Sequence, residues 1–215
     1  MRFARAICIV LQCCLLAGAC ADSSGLDAGV YVVRSDDTLY SIAWRHDLDY
    51  WDLARWNNIG QDYRIAVGQA LVLAPTGGAD APTTRKVQAR EMQASAGRWA
   101  WPTDAVSPPR PASSGGILLS GRLGQDVRAA CPGRVVYSGS GLRGYGNLII
   151  IKHGENLLSA YGHNREVLVR EGQEVAAGQV ISHMGEGAQR SPVLYFEIRQ
   201  NGKPVDPLPF LPASR

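Results

Sequence analysis

Apolar positions divide this chain into three textures. Ala6 to Ala19 is almost wholly apolar and follows Arg2 and Arg5. The run is too short for a membrane span of about 20 residues and has the layout of a secretory leader. Further on, Val30-Tyr31-Val32-Val33 is β-branched and aromatic and predicts a strand. Leu39, Ile42, Ala43 and His46 then recur at helical spacing, with Asp37 or Thr38 placed to cap the helix. A second helix is expected near Tyr50 to Asn57, with Leu53 and Trp56 turned inward. Gly68-Gln69 precedes a closing strand at Ala70 to Leu73. Residues 30–75 thus form one strand–helix–helix–strand unit.

Residues 76–97 open Gly/Ala/Thr-rich and show no sustained apolar period, so they read as a flexible linker. From 98 to 215 the texture is β. Val135-Val136-Tyr137, Leu148-Ile149-Ile150-Ile151, Val180-Ile181 and Leu194 to Ile198 are short strands, punctuated by Gly-Gln pairs at 124, 172 and 178 and by Asn201-Gly202. The fold class is α+β, a small βααβ module joined by a linker to a mostly antiparallel β domain.

Composition changes this picture only at the N-terminus. Of five cysteines, Cys8, Cys13, Cys14 and Cys20 lie in the leader or at its end, and Cys131 alone falls in the second domain. Its setting, Ala129-Ala130-Cys131-Pro132-Gly133, reads as a small buried hydrophobe. Of 22 basic side chains, all but Arg2 and Arg5 lie beyond the leader, against 19 acidic ones, and no basic block stands out. Nucleic acid is therefore not expected as a partner. The leader ends in Leu16-Ala17-Gly18-Ala19-Cys20, which resembles the lipobox of bacterial lipoproteins. That resemblance implies residues 1–19 as signal peptide, acylation of Cys20, a tether over 20–29 and a membrane held through the lipid anchor. Ala21 after the cysteine implies, by the same family's sorting rule, the periplasmic face of the outer membrane.

Tyr31-Val32-Val33-Arg34, Asp37-Thr38-Leu39, Ile42-Ala43, Leu53, Asn57, Ile59 and Gly68-Gln69-Ala70-Leu71 resemble the LysM module, which binds N-acetylglucosamine-containing glycans. The resemblance implies peptidoglycan glycan strands as ligand, with Asp37, Thr38, Leu39, Asn57, Ile59 and Ile65 as the binding residues. Asp36 stands where the family usually has Gly, a turn that Asp tolerates in the left-handed region. Trp44, Trp51 and Trp56 are open to two readings, sugar stacking or core.

The second domain resembles the LytM-type zinc metallopeptidases, whose fold is the duplicated hybrid motif. The blocks are Trp101-Pro102, Gly133 to Gly139, Gly144-Tyr145-Gly146-Asn147, Ile151-Lys152-His153, Ala160-Tyr161-Gly162-His163, Gly172-Gln173, Gly178-Gln179, Phe196-Glu197-Ile198-Arg199 and Asp206-Pro207. In active members zinc is held by a His-x-x-x-Asp motif and by the second His of a His-x-His-Phe-Glu motif. Here Ser114 and Leu118 align with the first pair and Tyr195, in Val193-Leu194-Tyr195-Phe196-Glu197, with the last. Three good ligands are needed for a catalytic zinc, and leucine has no lone pair. The expectation is no metal, no cofactor and no catalytic residue, although His163 matches a catalytic histidine of the family. Ser114, Leu118, Tyr145, Tyr161, His163, Val193 and Tyr195 are expected to line a groove for a protein partner.

Leader, LysM unit, linker and degenerate LytM domain together resemble the NlpD-type murein hydrolase activators, as do Leu142 to His153 and Leu157 to Tyr161 in detail. The resemblance implies a non-catalytic role, activating a periplasmic N-acetylmuramoyl-L-alanine amidase during septal wall splitting; the alternatives are a structural tether from outer membrane to wall and a zinc-dependent peptidoglycan endopeptidase.

Overall fold

The computed structural model describes residues 29–74 and 99–213. The leader, Cys20, most of the tether and all of the linker lie outside the described residues.

The first module follows the expected order: strand β1 (Val30–Val32), helices α1 (Leu39–Arg45) and α2 (Tyr50–Trp56), and strand β2 (Ala70–Val72). β1 and β2 pair antiparallel, with Tyr31 opposite Leu71. Thr38 caps α1 in a capping box with Ser41, and Asp49 caps α2 by accepting from the amides of Trp51 and Asp52. Asp36 has φ 66, the left-handed backbone that glycine would otherwise supply. The Asn57 side chain ties α2 to β2: its Nδ2 donates to the carbonyls of Leu53 and Val72, and its Oδ1 accepts from Val72 N at 2.6 Å.

The second module is one sheet of ten strands among the described residues. Its strands are β3 (Arg110–Pro111), β4 (Ile117–Ser120), β5 (Asp126–Arg128), β6 (Gly133–Gly139), β7 (Asn147–Lys152), β8 (Leu157–Val167), β9 (Glu174–Val175), β10 (Val180–Met184), β11 (Val193–Gln200) and β12 (Lys203–Val205). The main path runs β3-β4-β11-β8-β7-β6-β9, all antiparallel, and β10 joins β5 to β8. Cys131 is buried, as its setting suggested.

Four turns, three of them in this sheet and one in the first module, share one construction. Ala66 to Gln69, Arg122 to Gln125, Arg170 to Gln173 and Ala176 to Gln179 each place Gly third with φ between 77 and 84. Each glutamine closes its turn twice, donating its amide N–H to the first carbonyl and accepting through Oε1 from the first amide. The Gly-Gln pairs are thus hydrogen-bonded turns with a glycine where φ must be positive.

Both faces of this sheet are covered. On β7, Ile149 and Ile151 join an inner core with Leu119, Val135, Leu194 and Phe196. Leu148 and Ile150 on the opposite face join a second apolar cluster with Leu39, Ile42, Trp44, Tyr50 and Leu53 of the first module. Helix α1 is buried all round, from Leu39 to Trp44, because one side packs on its own module and the other on the sheet. Polar contacts fix the seam: Tyr50 Oη donates to the Glu155 carbonyl, and Lys203 Nζ donates to the Asp47 carbonyl at 2.9 Å. The expectation of two units on a flexible linker did not foresee this docking.

Candidate functional site

Strand β11 carries the centre of the site, flanked by β4 and β8. Tyr195 lies directly opposite Leu118 on one side and Gly162 on the other, so all three share a sheet face. Gly162 leaves room there, since a Cβ would sit 3.0 Å from the Tyr145 carbonyl and 3.3 Å from Tyr195 Cβ, tight enough to make its neighbours shift. The next residue, His163, has φ 61, donates its amide to the Tyr145 carbonyl at 2.7 Å and accepts from Gly185 N at 2.8 Å. This left-handed step keeps the imidazole in the groove, with its ring 6.2 Å from Tyr195 and the ring of Tyr145 5.2 Å from Tyr195. Val193, on the same face of β11, packs close to Gly187, which in turn lies beside the His163 ring.

Ser114, Leu118, Tyr145, His163, Val193 and Tyr195 therefore converge. Tyr161 does not join them. It is fully buried on the other face of β8, its ring against Phe196 and its Oη accepting from Ala130 N. Positions 161 and 163 would share a face in a regular strand, and the left-handed turn at His163 breaks that alternation.

Where the metallopeptidase pattern has zinc ligands, this chain has a chain of hydrogen bonds. Tyr195 Oη donates to Glu197 Oε2, so Ser114 Oγ, 2.8 Å away, donates to Tyr195. The other carboxylate oxygen of Glu197 accepts from Arg199 Nε at 2.6 Å. Arg199 Nη1 then donates to the Trp44 carbonyl at 2.9 Å and pairs with Asp47 at 3.1 Å. The guanidinium carbon lies 3.8 Å from the centroid of the Trp44 ring, a close cation–π contact. Tyr195, Glu197 and Arg199 alternate on one face of β11, and all three are buried. Position 195 is thereby wired to the first module.

The electrostatics follow from burial. Desolvation, then the adjacent Glu197, push the Tyr195 phenol well above its ordinary range, so it stays protonated. Burial also raises the Glu197 carboxyl, against the pull of Arg199. Burial lowers His163, which is neutral at neutral pH. A catalytic zinc needs three donors and an open water position. Leu118 has no lone pair, Tyr195 and Ser114 are engaged with each other, and His163 alone remains. No group of three or more His, Cys, Asp or Glu side chains able to hold a metal occurs among the described residues. The residues present do not fit a catalytic zinc, and no zinc-dependent step is derived from them.

The expected glycan residues are brought together in a different manner. Asp37 accepts from Tyr31 Oη, Arg34 N and Arg45, and these partners hold its carboxyl below the usual range despite an opposing desolvation that is the largest single influence. Thr38 caps α1, Leu39 is buried in the core, and Asn57 is tied to β2. Ile59 and Ile65 are half-buried against the same core. These residues shape the two loops more than they present free polar groups. The loops face a cleft of about 1160 Å³ shared with the second module, lined by Thr38 and Tyr63 on one side and Arg134 and Lys152 on the other. Lys152 Nζ lies 5.0 and 5.1 Å from the rings of Tyr63 and Tyr50. Of the three tryptophans, Trp44 is core, Trp56 is half-buried and Trp51 is exposed.

A βααβ glycan-type module packed on an antiparallel peptidase-type sheet defines a two-module class, and both halves match known families. Residues 31–74 match the LysM domain family, and residues 112–207 match Peptidase family M23. The chain is 43% identical to the Lipoprotein NlpD/LppB homolog of Pseudomonas aeruginosa, over 91% of this chain and 81% of that protein. It is 38% identical to the Uncharacterized lipoprotein YgeR of Escherichia coli, over 96% and 92%. It is 37% identical to the Murein hydrolase activator NlpD of Escherichia coli, over 85% and 67%. Among solved structures, lysostaphin from Staphylococcus simulans aligns with a TM-score of 0.43 and 28% identity, over 51% of this chain and 48% of that one. The chain belongs to the NlpD family of LysM–M23 lipoproteins.

Proposed function

We propose that this protein is a non-catalytic activator of a peptidoglycan hydrolase, an N-acetylmuramoyl-L-alanine amidase that splits septal wall between daughter cells. The observation that carries the reading is the replacement of the three zinc positions by Ser114, Leu118 and Tyr195. The two polar ones are tied into the Tyr195–Glu197–Arg199 chain. A site rebuilt this way offers no metal-activated water but keeps an ordered, partly aromatic groove suited to a protein surface. Relatives named murein hydrolase activators support the same reading. The LysM module supplies attachment to glycan strands, and acylated Cys20 holds the chain at the periplasmic face of the outer membrane, enriched at the septum. The partner-binding residues are Ser114, Leu118, Tyr145, His163, Val193 and Tyr195.

The test is a dye-release assay on labelled peptidoglycan with the mature chain and each purified amidase of its host. The expected result is no release by the chain alone and a strong increase with one amidase. Release by the chain alone, lost on chelation, would overturn the non-catalytic reading. No effect on any amidase would overturn the activator role.

A further inference from the structure

A second cleft, about 690 Å³, opens along the seam between the modules beside the former zinc site. Arg34, Trp44 and Arg45 of the first module wall it on one side, and Arg143, Tyr145 and Lys203 of the second on the other. Ser114 belongs to its lining, as does Tyr145, and both also belong to the groove already described. The cleft is strongly cationic. Arg34, Arg45, Arg143, Arg199 and Lys203 line it, against the single carboxylate of Asp47.

Two of these cations are balanced from below. Arg45 pairs with Asp37, and Arg199 with Glu197 and Asp47. The other three make no ion pair among the described residues. Arg34 leans toward the Tyr31 ring, its guanidinium carbon 5.7 Å from the centroid, and Lys203 donates only to the Asp47 carbonyl. Arg143 is exposed in the loop before β7. Three uncompensated cations from both modules therefore surround a cleft into which the half-buried Tyr145 presents its ring, while Trp44 and Leu142 lie buried beneath. Clustered like charge is unfavourable in the free protein and is relieved by an anionic ligand, which it also steers. A single aromatic ring inside a cationic rim matches an acidic peptide segment, bound chiefly through its carboxylates.

We propose that this seam cleft docks an acidic segment of the hydrolase the protein activates, read jointly by Arg34 of the first module and by Arg143 and Lys203 of the second. The proposal rests on the activator reading and extends it. The LysM module forms half of the partner site, in addition to its role on glycan, and the packing of the two modules becomes a condition for recognition.

The experiment titrates the mature chain against each purified amidase of the host in the dye-release assay, at low and high ionic strength. Arg34→Glu, Arg143→Glu and Lys203→Glu are compared with Arg170→Glu, an exposed residue of the turn between β8 and β9 that does not line the cleft. Arg34→Glu and Arg143→Glu are each expected to raise the half-maximal activating concentration roughly tenfold with unchanged melting, and Lys203→Glu, which also loses its bond to the Asp47 carbonyl, to raise it as much with a lower melting temperature. Arg170→Glu is expected to change nothing, added salt to weaken the wild type, and a deca-glutamate peptide to compete. Activation left intact by all three reversals would overturn the proposal while the activator reading stands. Failure of the wild type to activate any amidase would remove both. A third pattern also overturns it: intact activation, with the reversals instead abolishing binding to phosphatidylglycerol vesicles or to soluble peptide-bearing glycan fragments.

Discussion

Arg199 is the residue on which the site and the module seam both depend. It is 3% exposed, closes the hydrogen-bond chain from Ser114 through Tyr195 and Glu197, and stacks on Trp44 of the other module. Arg199→Met leaves the fully buried Glu197 carboxylate without its cation, a loss on the order of 3–5 kcal/mol. The melting temperature is expected to fall by about 10 °C. Adding Glu197→Gln should restore most of that, because the uncompensated charge is gone; calorimetry of the single and double variants decides the point. Histidine sets a second residue-scale expectation. Burial lowers His153 to about 4, against the carbonyl of Pro132 that favours its charged form. Its native state binds fewer protons than the unfolded chain, so stability is intact above pH 6.5 and declines as pH falls from there toward 4. The decline attributable to this group is at most about 3 kcal/mol. His46 and His163 are shifted in the same direction, whereas the raised Glu197 works in the opposite sense. Urea midpoints at pH 7 and pH 4.5 should differ less for His153→Gln than for the wild type. At this scale the residue types of Ser114, Leu118 and Tyr195 were legible in the sequence, and the structure brings all three into one groove. It could not expose what replaced them, because Trp44 lies 155 residues from the Arg199 that binds its carbonyl. Tyr161 was misplaced for a related reason: a left-handed residue in mid-strand leaves no mark in a two-residue period.

Elements were far more legible than contacts. Both helices and the paired strands of the first module stand where apolar spacing and capping residues placed them, because those signals are local. In the second module β6, β7, β10 and β11 follow for the same reason, whereas the other six strands, β8 included, were not marked by apolar spacing. Its turns were legible as punctuation but not as chemistry, since the double closure by each glutamine side chain is visible only in three dimensions. These turns give a clean measure of backbone strain. Gly172 has φ 81 and nothing within 4 Å of where a Cβ would stand, so Gly172→Ala meets no obstacle except its own left-handed conformation. The expected cost is about 1–2 kcal/mol, read as a lower urea midpoint with unchanged slope. Activation of the amidase should be unaffected, because this turn lies away from the groove.

At the scale of the whole molecule, the docking of the modules was the feature least expected from sequence, yet a trace of it was present. Leu148 to Ile151 is apolar at four consecutive positions, where a half-exposed strand would alternate. Helix α1 likewise has no polar face wide enough for water, with Leu39 through Trp44 all buried. Each signal says that a second layer covers the element, and neither says which layer. Gly202 makes the seam testable without touching either core. It turns the hairpin between β11 and β12 with φ 74, and a Cβ there would lie 2.5 Å from the backbone of Leu48 and Asp49 in the first module. Gly202→Ala therefore carries the strain of Gly172→Ala plus a backbone collision across the seam, so the hairpin and the first module must shift apart there. The expected outcome is a larger radius of gyration by small-angle scattering, exposure of Trp44 seen as a red-shifted emission, and loss of amidase activation. Gly172→Ala, similarly strained but free of the collision, should keep the wild-type radius and the wild-type activation. If Gly202→Ala opened the seam and still activated fully, the first module would be a tether to the wall and no part of the partner surface.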